Sequence, residues 1–321
     1  MKRYYRIFGL IMMLLVGGIS QAQVSIPTEN GELTVFKHKR VITLEHRYTE
    51  MVLSLGIIPV GVADIKSYMD YDGVFATKLK DTKDVGRRAA PNIEAMARLK
   101  PDVIIGTYLR NTNAFALLQK VAPTLLFSYI QVPEDHKSPL NQMLYEFNLV
   151  AKALGKQKKA KEVLKQYQQK IAKARQTITQ LKAKGLLKSD RIAIAQFLPG
   201  SPKVRLFTTD SVAMDALKQV GLKPAWQVKA GEAGMGYLTV GINTLRPLGV
   251  FNFFYFNERS DDSQLQRTIH SKLWQSFGFV KADLAFELGQ KSWPWGGPVA
   301  VADFVLQITD ILVKKSHQHA I

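Results

Sequence analysis

The chain has 321 residues, 46% of them apolar and 22% charged, with no cysteine. That composition fits one large or two ordinary folded domains, and it excludes disorder, disulfide scaffolds, cysteine-ligated metal sites and thiol nucleophiles. Its 44 Lys plus Arg against 26 Asp plus Glu leave a formal charge of +18, which first suggests nucleic acid or an anionic membrane surface.

Residues 1–22 read as an export signal. Lys2, Arg3 and Arg6 precede a 13-residue apolar run, Ile7 to Ile19, and Ser20-Gln21-Ala22 carries small residues where a signal peptidase reads them. The run is too short for the ~30 Å hydrocarbon core, so a membrane anchor is the weaker reading. No cysteine follows it, which excludes lipid attachment there. The expected product begins near Gln23 in the periplasm, and no later run approaches ~20 apolar residues.

Strands and helices then alternate. Strands are expected at Arg40–Leu44, Ile57–Ala63, Asp102–Thr107 and Thr124–Tyr129, with helices at Tyr48–Leu55, Asn92–Leu99 and Asn113–Val121. From Gln157 to Lys184 there is no Gly or Pro. Ala160, Val163, Leu164, Tyr167, Ile171, Ala174, Ile178 and Leu181 repeat at three- and four-residue spacing, so one long amphipathic helix is expected, stopped by Gly185. Beyond it the pattern resumes, with strands at Arg191–Phe197, Val204–Thr208 and Val250–Phe256. Helices follow at Ser211–Val220, Leu265–Phe277 and Val299–Lys314. The fold class is therefore α/β: two Rossmann-like lobes, each with a central, mostly parallel sheet, bridged by one long helix. The divisions are 23–151, 152–187 and 188–321. Ligands of such sheets sit at the carboxyl ends of the strands.

The charge follows this organisation. The export signal carries +3, residues 23–151 carry +1, residues 152–191 carry +11 and the remainder +3. Most of the excess is lysine on the solvated face of the long helix. Lysine is a point charge without the fork that reads base edges, so the helix argues poorly for nucleic acid.

Catalytic motifs are missing: there is no G-x-S-x-G, H-E-x-x-H or G-x-x-x-x-G-K-[ST]. Six histidines are scattered, and His317 with His319 reads as a tail, so no metal site is expected. Gly231, Gly234 and Gly236 do not join a strand to a helix, which argues against a phosphate loop. Glu45 and His46 are the one local acid–base pair that an enzyme on this scaffold would use.

Four segments resemble a known family. They are Arg40-Val-Ile-Thr-Leu-Glu45 with Leu55-Gly-Ile-Ile-Pro-Val-Gly-Val-Ala-Asp64; Asp84-Val-Gly-Arg-Arg-Ala-Ala-Pro-Asn-Ile-Glu94 with Leu99-Lys-Pro-Asp-Val-Ile-Ile105; Val121-Ala-Pro-Thr124 with Ala151-Lys-Ala-Leu-Gly155; and Leu273-Trp-Gln275 with Trp293-Pro-Trp-Gly-Gly-Pro298. Their order and spacing resemble the iron-siderophore branch of the periplasmic solute-binding proteins, the class hinged by a single helix, and most of all its ferric hydroxamate-binding members. The resemblance implies a binding protein, not an enzyme, that captures an iron(III)–siderophore complex between the lobes. It further implies delivery to an inner-membrane ABC permease, no covalently bound cofactor, no nucleic acid, a monomer, and modest closure of the lobes.

By the same resemblance, Arg88 holds iron-ligating oxygens, with Arg87 its solvated neighbour. Trp293, Trp295 and Tyr71 supply aromatic walls for the organic shell. The chain departs from the hydroxamate pattern at His46, which is followed by Arg47; at Arg110, where a tyrosine is expected and Tyr108 lies two residues earlier; and at Met235, where a tryptophan is expected. These departures imply a more polar and positive cleft and bring ferric citrate or a carboxylate siderophore into competition. For docking on the permease, Glu94 fits the acidic position of the N-terminal lobe, while the C-terminal position holds Asn243.

Overall fold

The computed structural model describes residues 24–35, 40–129, 138–229, 235–257, 263–289 and 292–318. The export-signal reading, His38, His136, His319, Gly231 and Gly234 lie outside the described residues.

Five parallel strands form the N-terminal sheet in the order Lys83–Asp84, Gly61–Val62, Val41–Thr43, Val103–Thr107, Thr124–Phe127. The three strands at Val41, Val103 and Thr124 are buried throughout, as strands covered on both faces must be. The strand expected at Ile57–Ala63 shortens to Gly61–Val62. Pro59 has no N–H to give a neighbouring strand, and Val60 is the first residue to bond Val41. Helix Pro139–Ala153, capped by Ser138 with proline at its first turn, also belongs to this lobe, as does an antiparallel hairpin of Val24–Thr28 and Gly31–Val35.

The C-terminal sheet is mixed. Its order is Tyr237–Gly241, Lys203–Phe207, Arg191–Phe197, Asn252–Asn257, Ala285–Glu287, with Lys223–Pro224 paired to the start of Arg191–Phe197. The first two neighbouring pairs are antiparallel and the others parallel. The single helix expected over Leu265–Phe277 is broken into Ser263–Ile269 and Lys272–Gln275, because Ser271 leaves the helix and caps the second piece through the Trp274 N–H.

Between the lobes runs the helix Gln157–Ala183, of 27 residues, and so about 40 Å long. Gly155 and Gly185 take positive φ, 63° and 66°, just outside its two ends. Its apolar stripe, Ala160, Val163, Tyr167, Ile171, Ala174, Ile178 and Leu181, is buried. Helix Pro298–Gln318 packs along it. Together the two helices join the lobes in one apolar cluster containing Met51 and Val52 of the N-terminal lobe and Ile194 and Phe254 of the C-terminal lobe. A core continuous across the junction resists wide opening.

Candidate functional site

A parallel sheet brings all its carboxyl ends to one edge. Here Glu45 follows strand Val41–Thr43, Asp64 follows Gly61–Val62, Arg88 lies just beyond Lys83–Asp84, and Arg110 follows Val103–Thr107. Glu45 is the hub. Its side chain is fully buried; Oε1 accepts from Arg88 Nη1 at 2.8 Å, and Oε2 accepts from Arg110 Nε at 2.8 Å. Oε1 also accepts from the His46 N–H at 3.0 Å and so caps helix His46–Ser54. Burial by itself would raise the Glu45 pKa, but the charges of Arg88, His46 and Arg110 outweigh it and hold the carboxyl at about 2.

Arg88 is fixed a second time: its backbone N–H and Nε donate to Asp64 Oδ2 at 3.0 and 3.3 Å. About a quarter of each guanidinium side chain, 24% for Arg88 and 25% for Arg110, stays open to solvent. Two positive groups therefore face two carboxylates. The surplus of positive charge expected from the sequence is cancelled within the cluster, since its counter-ions come from loops distant in the chain.

His46 is fully buried. Its Nε2 lies 3.3 Å from the Asp64 carbonyl, and Nδ1 has no hydrogen-bond partner. Burial and the nearby Arg88 lower its pKa to about 4, so it is neutral at physiological pH. It packs edge-on to Tyr68 at 5.5 Å and against Trp293 at 5.8 Å. His46 thus supports the cleft from beneath instead of facing it.

The opposite wall comes from the C-terminal lobe. Trp293 stacks on Tyr71 across the junction, with ring centroids 6.5 Å apart and planes 15° from parallel. Trp295 departs from the expectation of a cleft residue: it is 7% exposed and packs on Phe207 at 4.6 Å, Tyr237 and Phe256. Its indole N–H donates to the Met235 carbonyl at 3.2 Å, so it is a core residue that anchors the Met235 backbone. Met235 Sδ lies 3.9 Å from Arg110 Nη2 and 3.8 Å from the Tyr237 hydroxyl, which links the two lobes. Tyr108 stands 42% exposed on the short helix Tyr108–Asn111, outside the arginine–carboxylate cluster. Glu94 is exposed near Arg98 at 3.8 Å, and Asn243 is exposed in the turn Ile242–Leu248.

Two residues of the first helix, Arg47 and Glu50, close the junction. Arg47 is buried; its Nε donates to the Trp295 carbonyl at 3.1 Å, Nη1 donates to the Tyr129 carbonyl at 3.3 Å, and its guanidinium lies 4.0 Å over the Tyr129 ring. Glu50, on the same helix, accepts from the backbone N–H groups of Gly297, Val299 and Ala300, the last two at 2.9 and 3.1 Å. Gly296 and Gly297 permit this approach: a Cβ on Gly296 would lie 2.7 Å from Glu50 Oε2. On the C-terminal side, Arg205, which no motif marks in the sequence, donates to Gln196 Oε1 at 2.8 Å. Its guanidinium lies 5.1 Å from the Tyr237 ring. The alternation of buried Val204 and Leu206 around it was the signal available. Among the described residues, no three His, Cys, Asp or Glu side chains converge on a point that could hold a metal.

Residues 41–236 match the family model described as "Periplasmic binding protein". The chain is 28% identical over 280 residues to the "Probable siderophore-binding lipoprotein YfiY" of Bacillus subtilis, covering 84% of this chain and 80% of that one. It is likewise 28% identical over 271 residues to the iron(3+)-hydroxamate-binding protein FhuD of Escherichia coli, covering 83% and 84%. Among solved structures, SirA of Staphylococcus aureus complexed with staphyloferrin B superposes with a TM-score of 0.70 at 26% identity, covering 91% and 98%. The equal identities to the first two relatives do not single out the hydroxamate branch.

Proposed function

The chain belongs to the periplasmic binding protein family, and from that premise we propose that it captures a ferric siderophore between its lobes and delivers it to an ABC importer. Its relatives are siderophore- and iron-binding proteins, not enzymes. The observation that carries the reading is the pair Arg88 and Arg110, both fixed by Glu45 and both partly open. A chelated iron presents ligand oxygens with partial negative charge, and guanidinium forks donate to two such oxygens at once. The Tyr71–Trp293 stack supplies apolar area for the organic shell with little loss of rotamer freedom. Iron travels as cargo, held by the chelator.

A hydroxamate shell is our first choice, because the two arginines are already balanced by Glu45 and Asp64 and a complex without net charge needs no further compensation. Ferric citrate or a carboxylate siderophore is the second, favoured by Arg110, which adds a guanidinium where a tyrosine was expected. Glu94 and Asn243, exposed on opposite lobes, are our candidates for contact with the permease. The division at 151 and 187, a monomeric state, and export of the chain to the periplasm by residues 1–22 belong to the same reading. No helix among the described residues is long and apolar enough to cross a membrane.

Titration with ferrichrome, ferrioxamine B, ferric citrate and a ferric catecholate, followed by tryptophan fluorescence, tests it. Saturable binding of at least one supports the proposal. Binding of none overturns it and leaves the fold untouched.

A further inference from the structure

Bordering Trp293, whose ring also packs against His46, lies a cavity of about 510 Å³. Asp72, Val74 and Phe75 line it from the N-terminal lobe, and Trp293, Phe304 and Gln307 from the C-terminal lobe. Two of its polar residues are unsatisfied. Asp72 is 1% exposed; its Oδ1 accepts from the Val74 N–H at 3.3 Å, but Oδ2 has no hydrogen-bond partner. The Trp293 indole Nε1 is likewise buried without an acceptor. A buried carboxyl oxygen and a buried indole N–H left unpaired each cost stability that a ligand can restore.

We propose that this cavity is a subsite for a primary ammonium group, with Asp72 as its counter-charge and Trp293 as its aromatic face. The proposal extends the siderophore reading, on which its first form rests: the ammonium is the pendant amine of a ferric chelate seated on Arg88 and Arg110. The second source of the same chemistry is a free alkylamine.

The walls discriminate among cations and against anions. Trp293, Phe75 and Phe304 line the cavity with aromatic rings, a residue type whose faces attract an organic cation, whereas a metal ion would require several oxygen ligands. The cavity's edge already displays the contact in question, because Lys78 Nζ lies 4.6 Å over the Phe75 ring. Phe75 is held there at φ 56°, a conformation costly for a side chain of that size, and is 37% exposed. Lys170 is bonded to Asp303 at 2.5 Å, and among the described residues no cation is bonded to Asp72. Burial and the neighbouring Glu50 carboxyl both raise the Asp72 pKa, which favours the protonated form while the cavity is empty; an ammonium group beside it would favour the ionised form and so supply the missing positive partner. The indole N–H, meanwhile, suits a carbonyl oxygen on the same ligand arm.

The test compares ferrioxamine B, whose arm ends in an ammonium group, with its N-acetylated form, using ferrichrome as a tailless reference and pentylamine as the free amine. We expect ferrioxamine B to bind about tenfold more tightly than the acetylated form. Asp72→Asn should abolish that preference and leave ferrichrome affinity unchanged. If pentylamine alone changes Trp293 fluorescence, and does so only when Asp72 is present, the subsite serves free amines. Equal affinity of the two ferrioxamines, with no pentylamine response, overturns the subsite even where ferrichrome binds and the siderophore reading stands. Failure of every ferric chelate overturns that reading instead, and the pentylamine comparison still decides the subsite. The comparison of the two ferrioxamines needs no variant, so a poorly folding Asp72→Asn does not remove the test.

Discussion

The carboxylate of Glu50, in the first helix of the N-terminal lobe, accepts the N–H of Val299 at 2.9 Å at the start of the helix that ends the C-terminal lobe. A helix begins with unpaired N–H groups, and here three of them are satisfied from another lobe. The contact fixes one lobe against the other beside the cleft.

Glu50→Ala strands those donors in a buried site. It is expected to destabilise the protein by about 2–4 kcal/mol, with Glu50→Gln losing less because its amide oxygen still accepts. Chemical denaturation of the two variants checks this. Equal stability of Glu50→Ala and the parent chain would sink the idea of a cross-lobe cap.

Gly296→Ala attacks the same junction from the other side. The added methyl would crowd Ala300 and come within 2.7 Å of Glu50 Oε2. A loss of about 1–3 kcal/mol is expected from overpacking. Combined with Glu50→Ala, the two losses should fall short of additive, since the second removes part of the clash introduced by the first.

Arg88→Ala should weaken ferric siderophore binding by about 1.5–3 kcal/mol, the range for a hydrogen bond to a charged group. Arg88→Lys should recover little, because an ammonium cannot bond Glu45 and Asp64 and still present a fork to the ligand. Fluorescence titration measures both. Unchanged affinity in Arg88→Ala removes this side chain from the site.

Protonation of His46 should cost the chain stability before acid reaches Glu45, opposed over the same range by Glu50, whose carboxyl pKa burial raises to about 7. The His46 pKa is lowered from 6.5 to about 4, so its contribution is present above pH 6.5 and is lost as pH falls toward 4. That shift corresponds to about 3 kcal/mol. Glu45, lowered from 4.5 to about 2, follows: its contribution is present above pH 4.5 and disappears toward pH 2. His46→Asn should remove the loss of melting temperature that His46 causes between pH 6.5 and 4 and should shrink the fall below pH 4.5, because the His46 charge is one of those that lower Glu45. A profile of unchanged slope in that variant assigns the acid sensitivity elsewhere.

Trp293→Phe should lower affinity for a ferric siderophore by about 0.5–1.5 kcal/mol, the scale of an aromatic pair beyond its buried area. It should also remove much of the fluorescence change on binding. Full quenching in the variant would move the reporter to another tryptophan.

The helix Gln157–Ala183 and most of the strands were legible in the sequence, because period, glycine stops and buried apolar runs are local signals. The motif around Arg88 marked that residue, and the structure places it against Glu45 and Asp64. Most of the +18 charge also resolved locally, into residues 1–22 and the lysines of the long helix. What sat on the cleft edge, and in what state, was decided only by the tertiary structure. Glu45, Asp64, Arg88 and Arg110 meet because four parallel strands end together, and no linear spacing encodes that their charges cancel. Likewise the Trp293-Pro-Trp-Gly-Gly-Pro298 segment reads as two equivalent tryptophans, yet one stacks across the junction and the other lies in a core. The difference arises from what Tyr71 and Phe207 present to each ring. The glycines beside them serve a carboxylate nearly 250 positions away, a demand set by packing and invisible along the chain.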